Sequence, residues 1–150
     1  MSQNQSQNQK NRCYSAALRM LMRREHSQLE LLTKLQAKGF DISAINDSLL
    51  ILIEQNYQSD ERFSEAFILM RHNQGKGPLK IASELKQRGI NKFNLDVFDW
   101  FKLAKEIRNK KFGDSPPQDF NDQAKQKRFL QSRGFGFDEI NEAFLNLSKS

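Results

Sequence analysis

Cysteine is almost missing from this 150-residue chain. Cys13 stands alone, so no intrachain disulfide can form, and a reducing, cytoplasmic setting is the expectation. Histidine is scarce too. His26 and His72 with one thiol are too few for a zinc site, so neither metal nor cofactor is expected. Three prolines and seven glycines are few, which favours long helices over turn-rich β architecture. The strongest apolar cluster, Leu49 to Ile53, falls far short of the ~18 residues of a membrane span. The N-terminus shows no apolar signal-peptide region, so export is not expected. Carboxylates are scattered, mostly beside basic residues, and no nucleophile elbow or nucleotide fingerprint occurs. Nothing supports an enzyme.

What is present suits a packed, water-soluble domain: 37% apolar residues, twelve phenylalanines and 28% charged residues. The formal charge is +6 and is unevenly placed. Lys10 and Arg12 charge an N-terminal stretch with no acid, and the last fifty residues hold ten bases against seven acids. A basic balance favours polyanions or an acidic protein, although a charge run is also what an ordinary solvated face looks like.

Residues 1–12 are nearly all Ser, Gln and Asn, and the expectation there is a disordered tail. From Tyr14 onward the periodicity is helical. Tyr14, Ala17, Leu18 and Leu21 form one stripe, and Ser27-Gln28-Leu29-Glu30 reads as a capping box opening a second helix. Ile45, Leu49, Leu52 and Ile53 mark a third helix, and Phe63, Ala66, Phe67 and Met70 a fourth. Pro78 suits the first turn of a fifth. Trp100, Leu103, Ala104 and Ile107 mark another, and Ile140, Ala143, Phe144 and Leu147 the last. Residues 113–123, with Pro116-Pro117, read as a linker.

The more informative signal is self-similarity. Leu35 to Phe40 is echoed by Leu85 to Ile90 and again by Leu130 to Phe135: Leu, three residues on a base, then Gly, then a large apolar group. The base suits the negative end of a helix dipole. The glycine suits a left-handed C′ position, and the apolar residue after it can pack back on the leucine, as in a Schellman cap. Ile45, Leu95 and Ile140 follow five residues later in each copy. The expected fold is therefore all-α: three tandem three-helix repeats (13–57, 58–99 and 100–150) forming a curved, elongated molecule. Little room separates Gly89 from Trp100, so the last helix of the second repeat should be short.

Two motifs invite chemistry. Arg133-Gly134-Phe135-Gly136-Phe137 is like the aromatic RNA-binding strand of an RRM domain, but Asp138 breaks that motif and the repeat register makes Gly134 a helix stop. Gly75-Lys76-Gly77-Pro78 precedes a helix N-terminus, where an anion can sit, yet it lacks the Walker A spacing and reads better as a tight turn with Gly77 as N-cap. The remaining candidates are basic: Arg19, Arg23 and Arg24; Arg71, Lys76 and Lys80; Lys110 and Lys111; Lys125, Lys127 and Arg128. They recur about once per repeat, and stacked repeats could align them into one stripe that meets phosphates or carboxylates.

Several ordered segments resemble the RecX family, regulators of the RecA recombinase. They are Ala17-Leu18-Arg19 with Arg23 to Ser27, Asp60 to Phe67, Gly75 to Pro78 with Glu84-Leu85 and Arg88-Gly89-Ile90, Asp99-Trp100, Lys110 to Gly113, and Lys125 to Phe135. The resemblance covers roughly residues 15–147, with the stretch between Ile90 and Trp100 shorter than the family pattern. It implies a monomeric, non-enzymatic regulator that binds the RecA–single-stranded-DNA filament and depresses its ATPase, strand exchange and coprotease activities. Two other readings stay open: a basic helical DNA-binding protein acting without RecA, and a helical scaffold for another partner.

Overall fold

The structure, a computed structural model, describes residues 3–147. Among the described residues there are eight helices and no strand. They are α1 (Gln3–Arg23), α2 (Gln28–Ala37), α3 (Ile42–Glu54), α4 (Asp60–Asn73), α5 (Pro78–Gln87), α6 (Trp100–Phe112), α7 (Phe120–Ser132) and α8 (Phe137–Glu142). The chain forms two compact units that do not follow the sequence repeats. One runs through Phe67 and includes Leu85–Phe93; the other holds Ile68–Glu84 and the chain from Asn94 onward.

In the first unit, helical spacing puts Cys13, Ala16 and Ala17 of α1, Leu31 and Leu35 of α2, and Ala44, Ile45, Leu49 and Leu52 of α3 into one core. Burial raises the Cys13 thiol above its ordinary pKa, with a hydrogen bond to Ser48 opposing. Ser27 and Glu30 close the expected capping box, Ser27 Oγ accepting from the Glu30 N–H at 3.1 Å and Glu30 Oε1 from the Ser27 N–H at 3.2 Å. The disordered tail expected over residues 1–12 is replaced, from Gln3, by the start of α1. Met1 and Ser2 lie outside the described residues. The polar stretch is held by contacts that composition does not reveal: Lys10 pairs with Asp47 at 3.0 Å, and Gln9 Oε1 accepts from the Asp41 N–H at 2.9 Å.

All three glycine stops adopt the expected cap. The N–H groups of Phe40, Ile90 and Phe135 donate to the carbonyls of Leu35, Leu85 and Leu130, and φ is positive at Gly39, Gly89 and Gly134. Two further helices, whose ends the repeat pattern does not mark, stop the same way. Asn56 takes the left-handed position after α3, with Tyr57 N–H donating to Leu52, and Gly75 takes it after α4, with Lys76 N–H donating to Arg71.

In the second unit, the start of α5 meets the end of α7 backbone to backbone. The Gly77 N–H donates to the Arg133 carbonyl at 2.7 Å, and the Leu79 N–H to the Gly134 carbonyl at 2.9 Å. Two orphan donors of one helix thus satisfy carbonyls at the C-terminal cap of another. A Cβ on Gly77 would come within 2.5 Å of the Gly134 carbonyl carbon, and one on Gly134 would collide with the Lys80 side chain. The short third helix expected in the second repeat is absent: residues 90–99 form turns and irregular chain. Tertiary contacts pin this segment instead. The Trp100 indole donates to the Leu95 carbonyl at 2.6 Å, and the Phe98 ring stacks on His72 at 3.8 Å.

The linker is shorter than composition suggested. Asp119 caps α7 by accepting from the Asp122 N–H at 2.8 Å, so the helix opens at Phe120 instead of after residue 123. Arg108, with 0% exposure, holds the linker in place. It donates to the Gly113 and Ser115 carbonyls at 3.1 and 2.7 Å, and its guanidinium lies 5.0 Å from the Phe144 ring. The last helix, expected to reach Leu147, ends at Glu142. The hydrogen bonds of Phe144 and Leu145 tighten to three residues, and Asn146 turns left-handed.

Gly39→Ala adds a Cβ in open space and meets only the left-handed penalty, about 1–2 kcal/mol. Gly134→Ala adds overpacking of about 1–3 kcal/mol to that penalty. Urea denaturation should rank Gly134→Ala clearly below Gly39→Ala; equal midpoints would refute the contact between α5 and α7. Arg108→Ala should lose on the order of 3 kcal/mol, because two linker carbonyls lose their donor and a cavity opens. Arg108→Lys should recover little, since one ammonium cannot reproduce the fork.

Candidate partner-binding surface

The basic residues divide into those already held by the protein and those facing outward. In the first unit, Arg24 forks onto both Glu30 oxygens at 3.1 and 3.2 Å and also donates to the Glu25 carbonyl. Arg88 lies 3.7 Å from the same carboxylate and 4.7 Å from the Phe67 ring. Arg62 reaches Glu25, the Asn56 side chain and the Tyr57 carbonyl. Buried Gln58 donates to the His26 carbonyl and to Asp60 Oδ1, which also accepts from the Gln28 N–H. Arg24 to Ser27 and Asp60 to Arg62 are thus engaged in tying the link between α1 and α2 to the start of α4. Arg19 and Arg23 are exposed on α1. Arg19 lines an open groove of about 1170 Å³ that also takes Lys10, Arg12 and Lys38.

His26 sits inside that network. A carbonyl can only accept, so Nδ1 carries the proton toward the Arg24 carbonyl at 3.1 Å, and Nε2 accepts from the Lys34 ammonium at 2.9 Å. Burial first, and then the positive charges of Arg24 and Lys34, hold its pKa below the ordinary value; the Arg24 carbonyl and Glu30 pull the other way. For Glu30, burial pushes the pKa up. The Arg24 fork and the Ser27 N–H outweigh it and hold the carboxyl below its usual range.

The second unit gathers the outward-facing cations. Arg71 is engaged, its fork donating to both Glu84 oxygens at 2.9 and 2.7 Å. Lys76, Lys80 and Arg133 are half-buried beside it, and none has a carboxylate within ion-pair distance among the described residues. The contact between Gly77 and Gly134 brings them together, because Lys76 and Lys80 flank the start of α5 and Arg133 caps α7. Partial burial and then the charges of Arg133, Lys80 and Arg71 hold the Lys76 pKa below its ordinary value, with Glu84 opposing. Arg133 also lies 5.1 Å from the Phe129 ring. Lys111 approaches that ring at 5.4 Å, and the Phe112 edge packs on it at 5.4 Å. A continuous basic strip therefore runs from Lys111, with exposed Lys110 beside it, across Phe129 and Arg133 to Lys76 and Lys80.

Of the residues singled out by sequence, Arg71, Lys76, Lys80 and Lys111 come together. Lys127 turns away, donating to Asn141 at 3.1 Å and lying 5.6 Å from the Phe144 ring. Lys125 and Arg128 are exposed on α7. Sequence reasoning missed Arg133 as part of the strip. Its position before Gly134 marked it as a helix-end base, and only the approach of α5 gives it cationic neighbours. The anion-site reading of Gly75 to Pro78 does not fit, since the Gly77 and Leu79 N–H groups already serve Arg133 and Gly134 and Pro78 has none. Of the RRM-like segment, Phe135 is core, Gly134 is the helix stop and Phe137 is exposed.

Family models for the first, second and third three-helix domains of RecX match residues 13–49, 59–96 and 99–144. A protein of Halorhodospira halophila named "Regulatory protein RecX" is 38% identical over 134 residues, covering 85% of this chain and 83% of that one. One of the same name from Legionella pneumophila (strain Corby) is 37% identical over 145 residues, covering 93% and 97%. The crystal structure of RecX from Lactobacillus salivarius superposes with a TM-score of 0.76 at 20% identity, over 91% of this chain and 94% of that one, which speaks to the fold.

The neutral His26 makes stability depend on pH. Its folded pKa lies below the unfolded one, so the unfolded chain takes up the proton first as pH drops below about 6.5. Stability is full above that value and falls toward the lowered folded pKa. Paired Glu30 adds a further loss at lower pH. Urea midpoints measured between about pH 8 and about pH 5 should decline, and His26→Gln should flatten the decline. An unchanged slope in that variant would show that His26 is not the group responsible.

Proposed function

The chain belongs to the RecX family, and from that membership we propose that it binds the RecA–single-stranded-DNA filament and lowers its ATPase, recombinase and coprotease output. It acts as a non-enzymatic regulator, a monomer in the cytoplasm. No helix among the described residues is long and apolar enough to cross a membrane. The observation that carries the reading is the strip of Lys111, Arg133, Lys76 and Lys80, which have no carboxylate partner among the described residues. Such groups are poised for charge-assisted bonds to carboxylates of a protein or phosphates of DNA. A regulator that prefers one arrangement of neighbouring RecA protomers shifts their equilibrium toward it, and ATP turnover falls without the regulator touching ATP. The engaged residues Arg24 and Arg71 support the scaffold, while the outward-facing cations meet the partner.

The test is DNA-dependent RecA ATPase, with and without this protein. Inhibition at a low molar ratio to RecA is the expected outcome. The combined substitution Lys76→Glu, Lys80→Glu and Arg133→Glu should require at least about tenfold more protein for the same inhibition, with helicity unchanged by circular dichroism. Equal inhibition by that variant would rule out the strip as the contact. Inhibition only when the DNA is saturated, falling steeply with salt, would instead support a DNA-binding protein that acts without RecA.

A further inference from the structure

Phe137 opens α8 with 80% of its surface exposed, and Leu79 in the first turn of α5 is 62% exposed. The interior of the second unit uses neither. Phe135, two residues earlier, already fills the core at 1% exposure, and α8 is anchored by buried Ile140. The two exposed side chains belong to one patch. The Leu79 N–H bonds the Gly134 carbonyl, and Leu79 Cδ1 lies 3.7 Å from where a Cβ would stand on Gly136, the residue before Phe137. Lys80 follows Leu79 and packs its Cβ against Gly134, while Arg133 and Lys76 flank the same junction. An exposed phenylalanine and an exposed leucine at one junction, rimmed by cations with no carboxylate partner among the described residues, have the composition of an interface centre with a polar rim.

We propose that Phe137, with Leu79, is the apolar anchor by which this chain docks on a protein partner. The partner surface offers an apolar recess bordered by carboxylates. The proposal deepens the reading above and rests on it: the cations steer and orient, and Phe137 supplies the contact that sets residence time. The occupant is argued from charge complementarity, since Lys76, Lys80 and Arg133 border the apolar pair. A protein surface is favoured over a nucleobase. Phe129, the other ring on the strip, is already covered by Lys111, Arg133 and Phe112, and the exposed side chain beside Gly136, the residue before Phe137, is the aliphatic Leu79. Single strands are usually held by successive open rings.

The test compares full-length wild type with Phe137→Ala, Phe137→Leu and Leu79→Ala. Binding is measured to RecA filaments on single-stranded DNA, and to the same DNA alone. Both positions are exposed, so thermal unfolding should match wild type. Phe137→Ala should weaken filament binding at least about tenfold, mostly through faster dissociation, and leave affinity for bare DNA unchanged. Leu79→Ala should weaken it less, and Phe137→Leu should retain most of the affinity, because an apolar recess accepts leucine. Wild type failing to bind filaments would sink the functional reading itself. Wild type binding with Phe137→Ala equally tight would overturn the anchor alone. Equal losses on filament and bare DNA, with Phe137→Leu as weak as Phe137→Ala, would overturn it in favour of a base-stacking surface.

Discussion

Two hydrogen bonds join the first turn of α5 to the C-terminal cap of α7, and they require the backbones to touch. The contact demands glycine on both sides: at Gly77 because a Cβ would enter the Gly134 carbonyl, and at Gly134 because the chain is left-handed and Lys80 lies against it. The pairing is electrostatically sensible. It sets the positive end of one helix dipole against the negative end of another, satisfying donors and acceptors that would otherwise need water. Its consequence for the surface is larger than its energy. Residues distant in sequence, Lys76 and Lys80 on one side and Arg133 and Phe137 on the other, become neighbours because two glycines allow no spacing between them.

The same arginine and lysine chemistry does two separate jobs. Arg24, Arg62, Arg71 and Arg88 lie against Glu30, Glu25 and Glu84, and for Arg24 and Arg71 the planar fork meets both carboxylate oxygens. Arg108 goes further and is buried completely, using two carbonyls and the face of Phe144 in place of an acid. Lys76, Lys80, Lys111 and Arg133 have no such partner among the described residues. Several residues of the ordered motifs that mark the family therefore belong to the framework, and the outward strip is assembled from helix ends.

The helices, the Schellman stops and the capping box were legible because each depends on residues within six positions of one another. Leu35, Gly39 and Phe40 contain their own geometry: a left-handed glycine, a returning N–H and an apolar contact. The same logic misjudged residues 3–12, which as a helix contact Asp41 and Asp47 more than thirty positions away, and residues 90–99, where Trp100 and Phe98 pin turns in place of a helix. Of the candidate surface, sequence supplied the cations but not their sorting. Arg24 and Arg71 look as available as Lys76 and Lys80 until their carboxylate partners are seen, and Arg133 looks like a helix end until α5 arrives.

By itself, then, the sequence determined an all-helical chain with three repeated stops, a net positive charge and membership of a family, all of which follow from local pattern and order. Only the tertiary structure decided which cations are neutralised, that the glycine-rich turn holds carbonyls and not an anion, and that Phe135 goes inward while Phe137 stays in solvent. Those outcomes depend on what is packed opposite each residue, and a one-dimensional pattern does not contain that distance.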